Sequence, residues 1–200
     1  FKRMFGVSDP TAGAAGGRGH IDVRSVPTAK LEAYCRGLGE RAKNIAVVSL
    51  GDEIGLPAPS GTAAAERFRT WLKQRRLKPA DIDLAAGNDW NKISYSTAPA
   101  TRQSKPGLYY WSMRYRYHYG IQAIKERTDI LARHLPNAGI GANFSPHYPQ
   151  EHMFLGEVYK WVTVFRDSGM TMPWSEDYIW QVPVGTPQMN NINLDLFRAG

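Results

Sequence analysis

The sequence predicts a parallel α/β fold of the (β/α)8-barrel type, of which this 200-residue chain covers a part. Helical and strand-like segments alternate along the chain, as they do where helices connect parallel strands. Residues 45–50 (IAVVSL) form a short apolar run rich in β-branched residues, which is typical of a strand buried on both faces. Polar residues follow each strand-like run. Because all strands of a parallel barrel end at one face, these residues predict an active site there.

The individual elements follow from hydrophobic periodicity and from helix-breaking residues. Helices are predicted over residues 28–44, 62–76, 79–84, 108–135 and 151–168. Strands are predicted over residues 45–50, 140–144 and 170–174. Residues 87–105 are predicted as a polar loop, and residues 1–27 as a loop-rich lead-in to a single barrel segment that fills residues 1–200.

Composition excludes some classes of protein. The chain is 42% hydrophobic and 22% charged, which is ordinary globular usage and argues against disorder. Its net charge of +7 comes from Lys and Arg that occur along the whole chain without a run of five, so a solvated surface is favoured over a nucleic-acid site. The single cysteine, Cys35, has no partner for an intrachain disulfide and is predicted to be a buried, inert thiol. The compartment is left open.

The polar residues at the predicted strand ends are of the kinds that act in glycoside hydrolysis. Asp52 and Glu53 follow the first strand. The residues at and after the ends of the other two strands are Asn143, Ser145 and His147, then Trp174, Glu176, Asp177 and Tyr178. One carboxyl group must be protonated to donate to the leaving oxygen, and a neighbouring negative charge raises a carboxyl pKa. Glu53 beside Asp52 is therefore the predicted general acid.

Several motifs resemble clan A glycoside hydrolases, most closely the β-galactosidase-like family 42. Residues 44–56 (NIAVVSLGDEIGL) and 68–72 (FRTWL) are similar to the family's fourth strand and following helix. Later motifs occur in the family's order: a Trp-containing stretch (Asp89-Trp90 or Tyr110-Trp111), Ala142-Asn143-Phe144, WSEDY at 174–178 and LDLFRAG at 194–200. The resemblance covers residues 44–200. It implies that the chain spans about strands 4 to 6 or 7 of the barrel, in a retaining β-glycosidase with Glu53 as acid/base.

The resemblance also implies the remaining roles. Asp52 and Asn143 are expected to bind sugar hydroxyls, although the family has Asn where this chain has Asp52. His147, Trp174, Glu176 and Tyr178 are expected to line the sugar subsite. The nucleophile is expected beyond Gly200, with Glu176 as the alternative within the chain. No cofactor is expected, and the partners are an oligo- or polysaccharide substrate and the rest of the barrel or another chain that covers the open sheet edges; neither nucleic acid nor a membrane is expected.

Three other interpretations remain open. A barrel that has lost catalysis and acts as a carbohydrate-binding or structural protein is consistent with the Asp52 departure. A metal centre could use His147 and His152 with Glu151 and Glu157, although a zinc helix places its histidines four residues apart rather than five. Residues 109–119 interleave aromatics with Arg114 and Arg116 as single-strand binders do. The helical stripe Leu108, Trp111, Tyr115 and Tyr119 favours a core position instead.

Overall fold

The computed structural model describes residues 7–8, 20–21, 26–51, 55–144, 158–172, 174–175 and 195. Its helices are α1 (Thr28–Gly37), α2 (Ala64–Gln74), α3 (Pro79–Ile82), α4 (Pro99–Ser104), α5 (Pro106–His134) and α6 (Val158–Arg166). Its strands are β1 (Val7–Ser8), β2 (His20–Ile21), β3 (Val47–Ser49), β4 (Gly139–Gly141), β5 (Asn143–Phe144) and β6 (Trp174–Ser175). Short 3-10 segments span Gly39–Asn44, Leu84–Ala86 and Trp90–Lys92.

The chain divides into two compact units. The first comprises Phe1–Gly55 with Ile121–Gly200, and the second is the continuous segment Leu56–Gly120. The first unit contains all the strands given above, whereas the described elements of the second unit are helices and 3-10 segments. The second unit therefore lies, in sequence, inside the connection from β3 to β4.

The strands of the first unit pair mainly in parallel. β3 pairs with β4, with Val48 opposite Ile140, and β5 pairs with β6. Beyond the ladder, the Leu50 amide donates to the Gly141 carbonyl (2.7 Å). On the other side of β4, the Thr171 amide donates to the Ile140 carbonyl (2.8 Å). Residues 46–50, residues 139–144 and the described residues 171–172 and 174–175 thus follow one another across the sheet in the order in which they occur along the chain. The short antiparallel pair of β1 and β2 lies within the predicted loop-rich lead-in.

The second unit has an aromatic core of its own. Phe68 and Leu72 of α2 are fully buried, and Trp71 is 5% exposed. The Phe68 ring centroid lies 5.3 Å from that of Tyr115 in α5 and 5.9 Å from that of Tyr95. These rings are in the range at which tilted and edge-on aromatic pairs attract. The apolar stripes predicted for residues 62–76 and 108–135 are therefore confirmed as the faces on which these helices pack.

Most predicted elements are observed within a few residues of their predicted ends. The predicted helix over residues 28–44 is divided into α1 and a 3-10 segment, and β6 begins at Trp174, whereas Met170–Met172 is not strand. The predicted helix over residues 151–168 is described only from Val158, where it forms α6. The loop predicted over residues 87–105 contains α4, a six-residue helix with no buried residue. The sequence of α4 has no apolar residues at helical spacing, so periodicity does not predict this helix.

Among the glycines of the second unit, Gly107 is the one at which an added Cβ atom would make the shortest contact. A Cβ atom at Gly107 would lie 2.5 Å from the Ile82 backbone carbonyl oxygen, whereas a Cβ at Gly37 would have nothing within 4 Å. We expect Gly107→Ala to lower the free energy of unfolding by about 1–3 kcal/mol through overpacking, despite the better helix propensity of Ala. Gly37→Ala, the matched control in α1, should be neutral or stabilising. Chemical denaturation measures both; a neutral Gly107→Ala would contradict the close approach.

Candidate active site

The backbone just after β3 is held by Ser49 and has an unusual conformation at Gly51. The Gly51 amide donates to the Ser49 hydroxyl (3.1 Å), and Ser49 is 8% exposed. Gly51 has φ 136°, a conformation that residues with a Cβ rarely adopt. The next two residues in the sequence are Asp52 and Glu53.

The structure brings two of the predicted site residues together through the backbone. Asn143 of β5 and Trp174 of β6 are register partners in a parallel pair. Neighbouring strands lie about 4.8 Å apart, so the backbones of these two residues are immediate neighbours. Two residues that are 31 positions apart in the sequence are thus brought to the same level of the sheet, as expected for residues that line one subsite.

The other predicted site residues lie outside the described residues. They are Asp52, Glu53, His147, Glu176 and Tyr178. The same holds for the alternative metal ligands His147, Glu151, His152 and Glu157. Within the described residues, no group of three or more His, Cys, Asp or Glu side chains could hold a metal ion.

A separate cleft lies on the helical side of the first unit. It has a volume of about 940 Å³ and is lined by α1 and the last three turns of α5, including Glu32, Glu126, Asp129 and Arg133. Its best-connected side chain is Glu32, which lies 2.8 Å from His134 Nε2 and 3.1 Å from both Arg36 and Arg133.

Glu32 joins α1 to the end of α5. The His134 hydrogen bond, and then those of the arginines, hold the pKa of Glu32 below its ordinary value of 4.5. A carboxyl group with a lowered folded-state pKa stabilises the fold above its ordinary pKa, and that contribution is lost as the pH falls through the folded-state pKa. We expect Glu32→Gln to lower Tm at pH 7, and the difference from the native chain to shrink toward pH 3.

Thermal unfolding followed by circular dichroism at several pH values measures this effect. Glu126→Gln is the matched control, because Glu126 is an exposed carboxylate that lines the same cleft. An equal loss of Tm in the two variants, or a Glu32→Gln effect independent of pH, would contradict a stabilising Glu32 hydrogen-bond network.

Cys35 has the environment that its sequence predicts. The side chain is 2% exposed on the buried face of α1. Burial, with a smaller contribution from Glu32, raises the pKa of the thiol to about 11. The thiolate that reacts with electrophiles or metals is therefore scarce at neutral pH, and Cys35 contributes packing rather than chemistry.

The aromatic run at residues 109–119 is largely internal. Tyr115 and Tyr117 are 4% and 9% exposed, and Trp111 packs edge-on against Trp71 at 6.2 Å between centroids. Tyr110 is the exception, at 53% exposed.

The unequal division of charge between the two units was not predicted from the sequence. The prediction considered where Lys and Arg occur, but Asp and Glu were not counted segment by segment.

Comparisons with models of known protein families, with curated proteins and with solved structures give no significant match. Among the described residues, no helix is long and apolar enough to cross a membrane. The resemblance to family 42 therefore rests on the motifs in the sequence.

Proposed function

We propose that the protein is a retaining glycoside hydrolase that cleaves β-glycosidic bonds, with Glu53 as its general acid/base. The observation that carries the proposal is the order of the parallel strands around β4. β3 pairs in parallel with β4, β5 pairs in parallel with β6, and Thr171, just before β6, bonds to the side of β4 opposite β3. A barrel adds its strands in sequence order, and this arrangement is consistent with part of one.

This strand order supports a common location for the proposed catalytic and binding residues. Parallel strands end at one edge, and the polar residues that follow them along the chain come from three separate segments of sequence. Asp52 and Glu53 follow the first strand, Asn143 lies in the second, and Trp174 lies in the third. The Asn143–Trp174 register supports the view that the second and third contribute to one sugar subsite.

The proposed mechanism uses carboxylates and water. Protonated Glu53 donates its proton to the glycosidic oxygen while a second carboxylate attacks the anomeric carbon and forms a glycosyl-enzyme. Ionised Glu53 then takes a proton from the water that releases the sugar. Asn143 and Asp52 hold sugar hydroxyls, and Trp174 with Tyr178 stacks on the ring. His147 and Glu176 complete the subsite.

One sequence feature supports a second candidate, a glycosidase-like barrel that binds carbohydrate without cleaving it. Asp52 stands where the resembling family has Asn, and the added negative charge alters the contact with the sugar hydroxyl. The two candidates differ in turnover but not in carbohydrate binding, so an activity measurement separates them.

A panel of p-nitrophenyl β-glycosides, each paired with its α-anomer, tests the proposal with the full-length protein. We expect release of p-nitrophenol from at least one β-glycoside and from none of the matching α-glycosides. Asp52→Asn, which restores the family residue, should retain or raise that activity. Inertness on every β-glycoside, together with binding of the corresponding sugar, would favour the non-catalytic candidate.

A further inference from the structure

The net charge of the chain resides in the second unit. Leu56–Gly120 contains eleven Lys and Arg against four Asp and Glu, a net charge of +7, which equals that of the whole chain. The first unit, with fourteen residues of each sign, is formally neutral. A positive charge confined to one unit creates a local field that attracts anions to that unit.

The carboxylates of the second unit do little to neutralise this charge. Asp81, Asp83 and Asp89 each accept a backbone amide at a helix start or a turn, at 2.7 to 3.1 Å. Among the described residues of this unit, Lys105 with Asp83 forms an ion pair (2.7 Å). Three of the four carboxylates thus serve turn geometry, and most Lys and Arg residues of the unit are exposed and form no ion pair with another described residue.

Two of these cations flank the contact between α2 and α5. The Trp71 ring of α2 lies 6.2 Å from that of Trp111 and 5.7 Å from that of His118, and these two residues of α5 stand about one helical turn on either side of Arg114. The Arg75 guanidinium stacks over the Trp71 ring, 3.7 Å from its centroid, and donates to the Trp71 carbonyl (3.2 Å). Burial, and then the positive charge of Arg114, lower the pKa of Arg75. Within the described part of the chain, neither arginine contacts a carboxylate. Two like charges on the same helix contact, one of them fixed against a ring, gain from an anion that binds both.

An exposed aromatic ring lies one helical turn from Arg114. Tyr110 and Arg114 are four residues apart on α5, so their side chains lie on the same face of the helix. Tyr110 is 53% exposed and contacts Trp111 edge-on, at 5.2 Å between centroids. The surface formed by Arg75, Tyr110 and Arg114, here called the Arg–Tyr face, combines two guanidinium groups with one accessible ring.

We propose that the Arg–Tyr face binds a uronic-acid polysaccharide, an inference that rests on the proposed function, in which the protein acts on a glycan. A guanidinium matches a planar carboxylate with two parallel hydrogen bonds, and a Tyr ring stacks on the apolar face of a sugar. A single nucleic-acid strand needs aromatic platforms for successive bases. Tyr115 and Tyr117, which would extend such a platform, are buried.

Binding of polygalacturonate to the full-length protein tests the proposal, with neutral dextran and oligo-dT as comparison probes. We expect Arg75→Gln/Arg114→Gln to weaken polygalacturonate binding about tenfold, the loss of about 1.4 kcal/mol of binding energy. Arg36→Gln/Lys43→Gln removes two exposed charges from the first unit and should change Kd less than about twofold. Added salt should weaken binding of the native chain. Tyr110→Ala should weaken binding without altering the salt dependence.

Circular dichroism shows whether each variant folds. If loss of the Arg75–Trp71 contact unfolds the double variant, Arg114→Gln alone, at an exposed position, should still weaken binding measurably. Equal losses in the double variant and its control, or equal binding of dextran, would overturn the proposal. Tighter binding of oligo-dT, lost in the same variant, would make the face a nucleic-acid surface instead.

The result is distinguishable from failure of the proposed function. Polygalacturonate binding that depends on Arg75 and Arg114, without turnover of any β-glycoside, would leave the Arg–Tyr face in place and remove the glycosidase. Turnover of a β-glycoside, with polygalacturonate binding unaffected by the double variant, would support the glycosidase and contradict the Arg–Tyr face as a binding surface.

Discussion

Glu53→Gln is expected to lower kcat for p-nitrophenyl β-glycosides by about 10²–10⁴-fold, the range that a positioned acid/base supplies. Gln has nearly the same shape but can neither donate a proton to the leaving oxygen nor accept one from water. The native activity should fall as the pH rises and the Glu53 carboxyl group loses its proton, and this limb of the pH profile should disappear in Glu53→Gln.

Leaving-group dependence distinguishes loss of an acid from general damage to the site. A 2,4-dinitrophenolate leaves readily without protonation, so formation of the glycosyl-enzyme from its glycoside should be much less impaired by Glu53→Gln. Glu40→Gln removes an exposed carboxylate from the first unit and should leave kcat unchanged. An equal loss for good and poor leaving groups, or unchanged turnover, would remove Glu53 from the acid/base role.

Phe68→Ala is expected to produce the largest loss of stability, about 3–5 kcal/mol. The Phe68 side chain is fully buried and contacts Trp71, Tyr95 and Tyr115. Removing the ring leaves a cavity among rigid aromatic neighbours that cannot collapse into it. Denaturant unfolding followed by Trp fluorescence measures the change.

Two controls make the Phe68 result specific. Phe68→Leu keeps an apolar side chain in the same space and should cost clearly less than Phe68→Ala. Tyr110→Ala removes an aromatic ring that is half exposed in the same unit, and it should change stability little. If Phe68→Ala and Tyr110→Ala were equally mild, the aromatic residues of the second unit would not form a packed core.

Periodicity predicted the long elements well because each has a strong apolar pattern. α2 and α5 bury the stripes that their sequences display, and β3 is the buried strand that its β-branched run indicates. The short α4 carries no such stripe. The division into two units was also missed, because periodicity reports which face a helix buries and not which helices share a core.

The candidate site was less accessible to prediction from the sequence. Polar residues after strands share an edge only if the strands are parallel neighbours, and strand pairing depends on residues far apart in the sequence. The structure shows such pairing for part of the site, in the β3–β4 pair and in the register of Asn143 with Trp174. Nothing in the sequence indicated that Arg75 and Arg114 belong to one surface, because 39 residues separate them. Each of them alone resembles an ordinary surface charge.

The stereochemistry of the first product tests the central claim most directly. Hydrolysis of the best p-nitrophenyl β-glycoside can be followed by ¹H NMR, which resolves the anomeric protons of the released sugar before mutarotation. A retaining enzyme with a covalent intermediate releases the β-anomer first, and this is the result that we predict. Release of the α-anomer first would show single-step inversion and contradict the mechanism assigned to Glu53, and no hydrolysis of any β-glycoside would contradict the glycosidase itself.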